Sequence, residues 1–89
     1  MPTLIFLQSN APVHTVNATV AFPGLLDGQP VTCEISLEAL QDHFGATSIQ
    51  GADLVVAFLA NRHAIEAVGR VKLPSRLAAG RGLLLSSDF

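Results

Sequence analysis

The sequence has little charge, one cysteine and neither tryptophan nor tyrosine. Only 13% of its 89 residues are charged, and 49% are hydrophobic. Disordered chains have the opposite balance, so we expect a folded chain. A single cysteine excludes an intrachain disulfide and fits a reducing compartment, which makes the cytoplasm the expected location. The missing tryptophan and tyrosine and a pI of about 5.8 disfavour nucleic-acid binding.

Long hydrophobic runs are also missing. The longest uninterrupted one, Leu54–Ala60, is far shorter than the roughly 20 residues of a spanning helix. The opening residues, MPTLIFLQSNAPVH, have no basic stretch before their brief apolar patch, so we expect neither a secretory signal nor a membrane contact. The high apolar content of so small a chain nevertheless leaves surface to cover. Self-association, most simply as a homodimer, would cover it, as would a protein partner.

Charge is unevenly distributed along the chain. Every lysine and arginine lies between Arg62 and Arg81, whereas residues 1–61 carry only acidic charges. This asymmetry permits a small anionic ligand, or a contact between acidic and basic faces of two copies.

Alternating residues predict a β-hairpin in the first half. Apolar and polar residues alternate from His14 to Phe22 and again from Val31 to Ile35, the period of a half-buried strand. Between them, Asp27-Gly28 fits a two-residue type I′ turn. Pairing across that turn places Phe22 opposite Cys33, so both apolar faces coincide. A short edge strand is predicted over Met1–Leu7, before the hairpin, because Leu4–Leu7 is apolar and bounded by Pro2 and Asn10.

A short helix is predicted after the hairpin. Ser36 is a suitable N-cap, and Leu37, Leu40 and Phe44 form one apolar stripe. Gly45 is suited to the left-handed residue that follows a helix. Asp42 and His43 therefore fall in the last turn, where a histidine suits the helix dipole. A structural role for this QDHFG segment is favoured over a catalytic one.

A longer helix is predicted from about Asp53 to Arg70 or Lys72. Its apolar face comprises Leu54, Ala57, Phe58, Ile65 and Val68. Asn61 falls in the middle of that face and Arg62 at its border, so Asn61 is either a hydrogen-bonding node or part of a pocket. Residues 54–59 are apolar on nearly all sides, which indicates deep burial or a contact with another subunit.

The predicted elements give an α+β fold. Pro74 ends the second helix or begins a short extra turn, and a last strand follows over Leu83–Ser87. The order is ββ-α-α-β, with a possible extra strand at the start. It predicts one small two-layer domain over residues 1–89, with two helices on one face of a mostly antiparallel sheet.

Three segments carry a resemblance to a known family. FPGLLDGQPVTCEISLEALQDHFGA, then AFLANRHAIEAV, then LLLSSDF, which together span roughly residues 20 to 89, resemble a family of short bacterial proteins catalogued as domain of unknown function 1488. The first twenty residues match poorly. KLPSRLAAGRG also departs, because Pro74 interrupts an expected helix. The resemblance implies a single cytoplasmic α+β domain and no activity, cofactor or functional residue.

Motifs for catalysis or metal binding are weak. Cys33 is the only thiol and alternates in phase with Val31 and Ile35, so it is expected in the core and inert. No histidine or cysteine pair has the spacing of a metal site, and Gly80-Arg81-Gly82 is not a phosphate-binding loop. We therefore expect no metal and no cofactor. A hydrolase using Cys33 or His43 is the most remote alternative.

Two functions remain. The first is a non-enzymatic interaction or regulatory module that forms a homodimer through the apolar start of the long helix or an open strand edge. The second is a small anionic-ligand binder. Its candidate binding residues are Asn61, Arg62, His43 and Asp42.

Overall fold

The computed structural model describes residues 3–7, 12–15, 18–47 and 50–89. The strands are β1 (Leu4–Phe6), β2 (Val13–His14), β3 (Thr19–Leu26), β4 (Gln29–Ser36) and β5 (Arg81–Leu84), and the helices are α1 (Leu37–His43), α2 (Gly51–Ala60) and α3 (Arg62–Lys72). Short 3-10 turns cover Leu73–Ser75 and Ser86–Asp88. The α+β class is confirmed, with three helices where two were predicted.

The β3–β4 hairpin has the predicted turn and register. Asp27 and Gly28 have φ of 51° and 84°, the signs of a type I′ turn. Phe22 lies opposite Cys33, so the buried side chains of both strands share one face. Local turn chemistry and the apolar pattern agree here, which is why the register could be predicted.

The predicted strand from His14 to Phe22 is confirmed only over Thr19–Phe22, within β3. His14 pairs antiparallel with Val20, so the chain reverses between them, and the Thr15 amide donates to the Thr19 carbonyl at 2.9 Å. Val16 and Asn17 lie outside the described residues. Ala18 has φ of 58°, a conformation that alanine rarely adopts. No glycine stands between His14 and Val20, so nothing in the sequence indicated this reversal.

The strands form one sheet with β1 and β5 at its edges. The order is β1-β3-β4-β5, and β2 pairs with β3 beyond the end of β1. The predicted edge strand is confirmed over Leu4–Phe6, whereas Met1 and Pro2 lie outside the described residues. β5 runs parallel to β4. It begins at Arg81, two residues earlier than predicted. It ends at Leu84 instead of Ser87, because a 3-10 turn starts at Ser86.

The first helix begins as predicted and the second is divided. The Ala39 amide donates to Ser36 Oγ at 3.2 Å, and Gly45 has φ of 73°. The long helix predicted from Asp53 is two helices, because Asn61 has φ of −122° and ψ of 20° between α2 and α3. The apolar pattern keeps its phase across this residue, so it could not reveal the break. No helix in the described part of the chain is long and apolar enough to cross a membrane.

One core joins the sheet to the helices. Phe22 lies at its centre, with ring centroids 5.5 Å from Phe6 and 4.8 Å from Phe58. A Cβ at Gly69 would lie 3.0 Å from the Phe6 ring, so glycine lets α3 approach β1. The other core residues come from every strand but β2, from all three helices and from the first 3-10 turn: Leu4, Val20, Cys33, Ile35, Ala39, Leu40, Leu54, Ala57, Ile65, Leu73 and Leu84.

Gly28→Ala should destabilise the protein by about 1 kcal/mol, because a Cβ is unfavourable at positive φ. A Cβ there would meet nothing within 4 Å, so the loss would come from the backbone alone. Urea denaturation measures it. Ala79, which has φ of 52°, is the matched control: Ala79→Gly should change stability in the opposite direction. A stable Gly28→Ala variant would contradict the turn assignment.

Candidate functional site

Asn61 connects α2, α3 and the end of α1 through its side chain. In a continuous helix its backbone amide would donate to the Ala57 carbonyl, but here it donates to Phe58 at 3.1 Å. Asn61 Nδ2 donates to the Ala57 carbonyl instead, at 2.9 Å, and to the Phe44 carbonyl at 3.2 Å. The side chain thereby satisfies two carbonyls at two helix ends. Of the two roles foreseen for Asn61, these contacts fit the hydrogen-bonding node.

Arg62 contacts a different part of the molecule. Its Nε donates to Glu66 Oε2 at 2.9 Å and its Nη2 to the Leu7 carbonyl at 3.4 Å. The Leu7 amide donates to Pro23 at 3.1 Å, but proline has no N–H with which to complete the pair. Arg62 supplies that missing donor. Its guanidinium also lies 5.6 Å from the centroid of the Phe58 ring.

Glu66 is a buried carboxylate between two guanidinium groups. Its side chain is 1% exposed, and Arg70 Nη2 lies 3.7 Å from Oε1. Pairing with Arg62 and Arg70 is what makes such burial tolerable. The cluster of these three residues holds more positive than negative charge.

Asp42 and His43 bind the segment that follows β5. Ser86 Oγ donates to Asp42 Oδ2 at 2.8 Å, and His43 Nε2 donates to the Ser86 carbonyl at 3.0 Å. The Phe89 ring meets the Phe44 ring edge-on, with centroids 5.0 Å apart. This is not a nucleophile–base arrangement, because the hydroxyl contacts the carboxylate directly and the imidazole contacts a carbonyl. The contacts attach residues 85–89 to α1.

Asp88 fixes the same segment by ionic contacts. Arg76 donates to both of its carboxylate oxygens, with Nη2 2.6 Å from Oδ1. Lys72 Nζ lies 3.5 Å from Oδ1, and the Leu85 amide donates to Oδ2 at 2.7 Å. The hydrogen bonds from Arg76 above all hold the pKa of Asp88 well below its usual range, and Asp88 in turn raises the pKa of Arg76. The ion pair is therefore formed at neutral pH.

A row of polar side chains that the sequence did not suggest crosses the sheet on the face opposite the core. Thr15 and Thr19 hydroxyls lie 2.7 Å apart, and Thr19 Oγ1 donates to Glu34 Oε1 at 2.6 Å. Arg81 Nη2 donates to Glu34 Oε2 at 2.8 Å. The Thr19 hydroxyl, followed by Arg81, lowers the pKa of the buried Glu34. The alternation of apolar and polar residues along β4 predicted that Glu34 faces away from the core. It could not indicate that Thr19 and Arg81 contact Glu34 on that face.

Neither Cys33 nor the candidate metal ligands lie in an arrangement typical of a catalytic or metal site. Burial raises the pKa of Cys33 to about 11, so its thiol stays protonated at neutral pH and is a poor nucleophile. Among the residues that the structure describes, no three histidine, cysteine or carboxylate side chains converge as metal ligands.

The four candidate binding residues thus divide into two places. Asn61 contacts the Phe44 carbonyl, next to His43 and close in sequence to Asp42. Arg62 turns to Glu66 and Leu7. What this arrangement does chemically is hold chain segments together by satisfying polar groups.

Asn61→Ala should lower the free energy of unfolding by about 1 to 3 kcal/mol, because two carbonyls lose their donor. Chemical denaturation measures the loss. His63→Ala, an exposed change two residues away, is the control and should stay within about 0.5 kcal/mol of the wild type. Unchanged stability in Asn61→Ala would instead favour a pocket role for Asn61.

Comparisons with known proteins find one family. The family described as "Protein of unknown function (DUF1488)" matches residues 4–84. A solved structure, a protein of unknown function from the same family in Shewanella loihica PV-4, is similar with a TM-score of 0.71. The two share 19% sequence identity, over 92% of this chain and 91% of that one, which supports the fold alone. No curated protein matches.

Proposed function

The chain belongs to the DUF1488 family, whose function is unknown, and we propose that it is a cytoplasmic, non-enzymatic interaction module that forms a homodimer. The observation that carries this proposal is an exposed apolar surface on α2. Val56 is 63% exposed and Leu59 is 50% exposed. We call this pair, with the exposed Ala52 and Ala60, the α2 surface.

The α2 surface suits a second copy of the same chain. It has no charged residue between Asp53 and Arg62, so apolar contacts can form there without burying a charge. In an antiparallel pair, Val56 of one copy would lie near Leu59 of the other. The acidic end of each helix, at Asp53, would then approach the partner's exposed His63.

Replacing both Val56 and Leu59 with Asp should convert the dimer to a monomer, because the contact would bury unpaired carboxylates. Light scattering after size exclusion, together with native mass spectrometry, measures the mass. Val71→Asp is the matched control, because Val71 is 79% exposed on α3 outside the α2 surface, and it should stay dimeric. A wild-type monomer at micromolar concentrations would overturn the proposal.

A small anionic ligand is the second candidate. Its support is the excess positive charge of the Arg62–Glu66–Arg70 cluster. Arg62 belongs to the sequence-based set, whereas Asn61, His43 and Asp42 make their contacts elsewhere. Arg70 is the more accessible guanidinium, with a side chain 54% exposed against 12% for Arg62. An anion would approach from the side of Arg70 and leave the Arg62–Glu66 pair intact.

Titration with inorganic phosphate tests this candidate. Arginine Nε–H NMR signals of Arg62 and Arg70 should shift to saturation, and Arg70→Gln should abolish the shift while the fold persists. Arg81→Gln removes another paired arginine, at Glu34, and should leave the titration unchanged. Phosphate binding at the cluster would be excluded if Arg70→Gln and Arg81→Gln changed the NMR titration equally, or if the wild-type signals showed no saturable shift.

A further inference from the structure

β5 is an edge strand, and its outward backbone groups can be identified. It pairs with β4 in parallel, and the Thr32 amide donates to the Gly80 carbonyl at 2.7 Å. In a parallel ladder alternate residues direct their N–H and C=O groups to the same neighbour. Gly80, Gly82 and Leu84 therefore face β4, and Arg81 and Leu83 direct theirs to the outer edge.

A tight turn covers the first part of that edge. The Ala78 amide donates to the Arg81 carbonyl at 2.9 Å, and the Arg81 amide donates back to Ala78 at 3.0 Å. Ala79 and Gly80, between them, have φ of 52° and 78°. Both outward groups of Arg81 are thereby used within the chain.

The Arg76–Asp88 ion pair covers the next part. Arg76 Nη1 donates to the Leu83 carbonyl at 3.5 Å. Asp88 Oδ2 accepts from the Leu85 amide at 2.7 Å, and the same two side chains are paired with each other. We call Arg76 and Asp88 the edge clamp. It occupies the Leu83 carbonyl and the Leu85 amide, and a further strand would need the Leu83 carbonyl.

We infer that the edge clamp is a releasable guard over a second self-association site, and that β5 of another copy takes the edge when the clamp opens. An antiparallel pair centred on Leu83 would place Leu83 opposite its own copy, joined by two N–H···O=C bonds. The outward backbone groups of Arg81 would stay in the Ala78 turn, and the Arg81 side chain would lie beside the Leu85 side chain of the other copy, so no like charges would oppose each other. Leu83 and Leu85 are 38% and 47% exposed, and pairing would cover them. This site is independent of the α2 surface.

The test uses a background in which the α2 surface cannot associate. In the Val56→Asp, Leu59→Asp double variant, Asp88→Asn should remove the charge that holds Arg76 and so release the Leu83 carbonyl. The expected mass is twofold that of the background at raised protein concentration. Hydrogen exchange at the Leu83 amide should slow as the dimer forms, because that amide would enter a new ladder.

Asp42→Asn in the same background is the matched control. It weakens the other carboxylate contact of this segment, with Ser86, without touching the edge clamp, and should remain monomeric. Arg76→Gln opens the clamp from its other side and should also double the mass, which decides the question if Asp88→Asn fails to fold. A folded clamp variant that stays monomeric, with Leu83 exchange independent of concentration, would overturn the inference. A monomeric wild type would overturn the α2 proposal alone.

Discussion

The satisfaction of two backbone carbonyls by Asn61 is the contact on which the helical layer depends. α2 and α3 share one apolar face, but they are separate helices because Asn61 leaves the helical conformation between them. The break leaves the Ala57 carbonyl without its helical donor, and this carbonyl accepts a hydrogen bond from the side-chain Nδ2 of Asn61. The same Nδ2 also donates to the Phe44 carbonyl at the end of α1. A break in one helix thus becomes a junction of three. The Phe44 ring packs edge-on against the Phe89 ring, so the same junction helps to place residues 85–89.

Arg62 serves the same purpose at the sheet. Pro23 interrupts the β1–β3 ladder by lacking an N–H, and Arg62 donates to the Leu7 carbonyl left without its usual donor. The Arg62 charge is then balanced by the buried Glu66. In a chain with few charged residues, Arg62 thus replaces a missing backbone hydrogen bond. The two residues that a sequence would most readily assign to a ligand pocket, Asn61 and Arg62, therefore have structural contacts that explain their positions.

What could be predicted from the sequence follows from the range of the interactions. The hairpin and α1 depend on neighbours: Asp27-Gly28 favours one turn, and Ser36 and Gly45 mark the two ends of a helix. The reversal at Ala18 and the break at Asn61 were missed, because alanine gives no turn signal and the apolar period continues through the break. Asn61 could be recognised as a polar residue that needs partners. The Phe44 carbonyl that Asn61 contacts and the Leu7 carbonyl that Arg62 contacts are distant in sequence from those two residues, so no local pattern could identify them.

The β5 edge and the α2 surface both expose apolar side chains, but only the β5 edge is guarded. Edge strands invite non-specific pairing, and proteins commonly block them with charges or turns. β5 has both, in the Ala78–Arg81 turn and the edge clamp. The α2 surface has neither, since Val56 and Leu59 lie on a helix whose backbone groups are already paired internally. A helix surface associates through side chains alone, so its contacts are limited by shape, whereas a free edge would accept almost any extended chain. In the proposed homodimer, specificity would therefore come from the α2 surface, because the β5 edge is blocked.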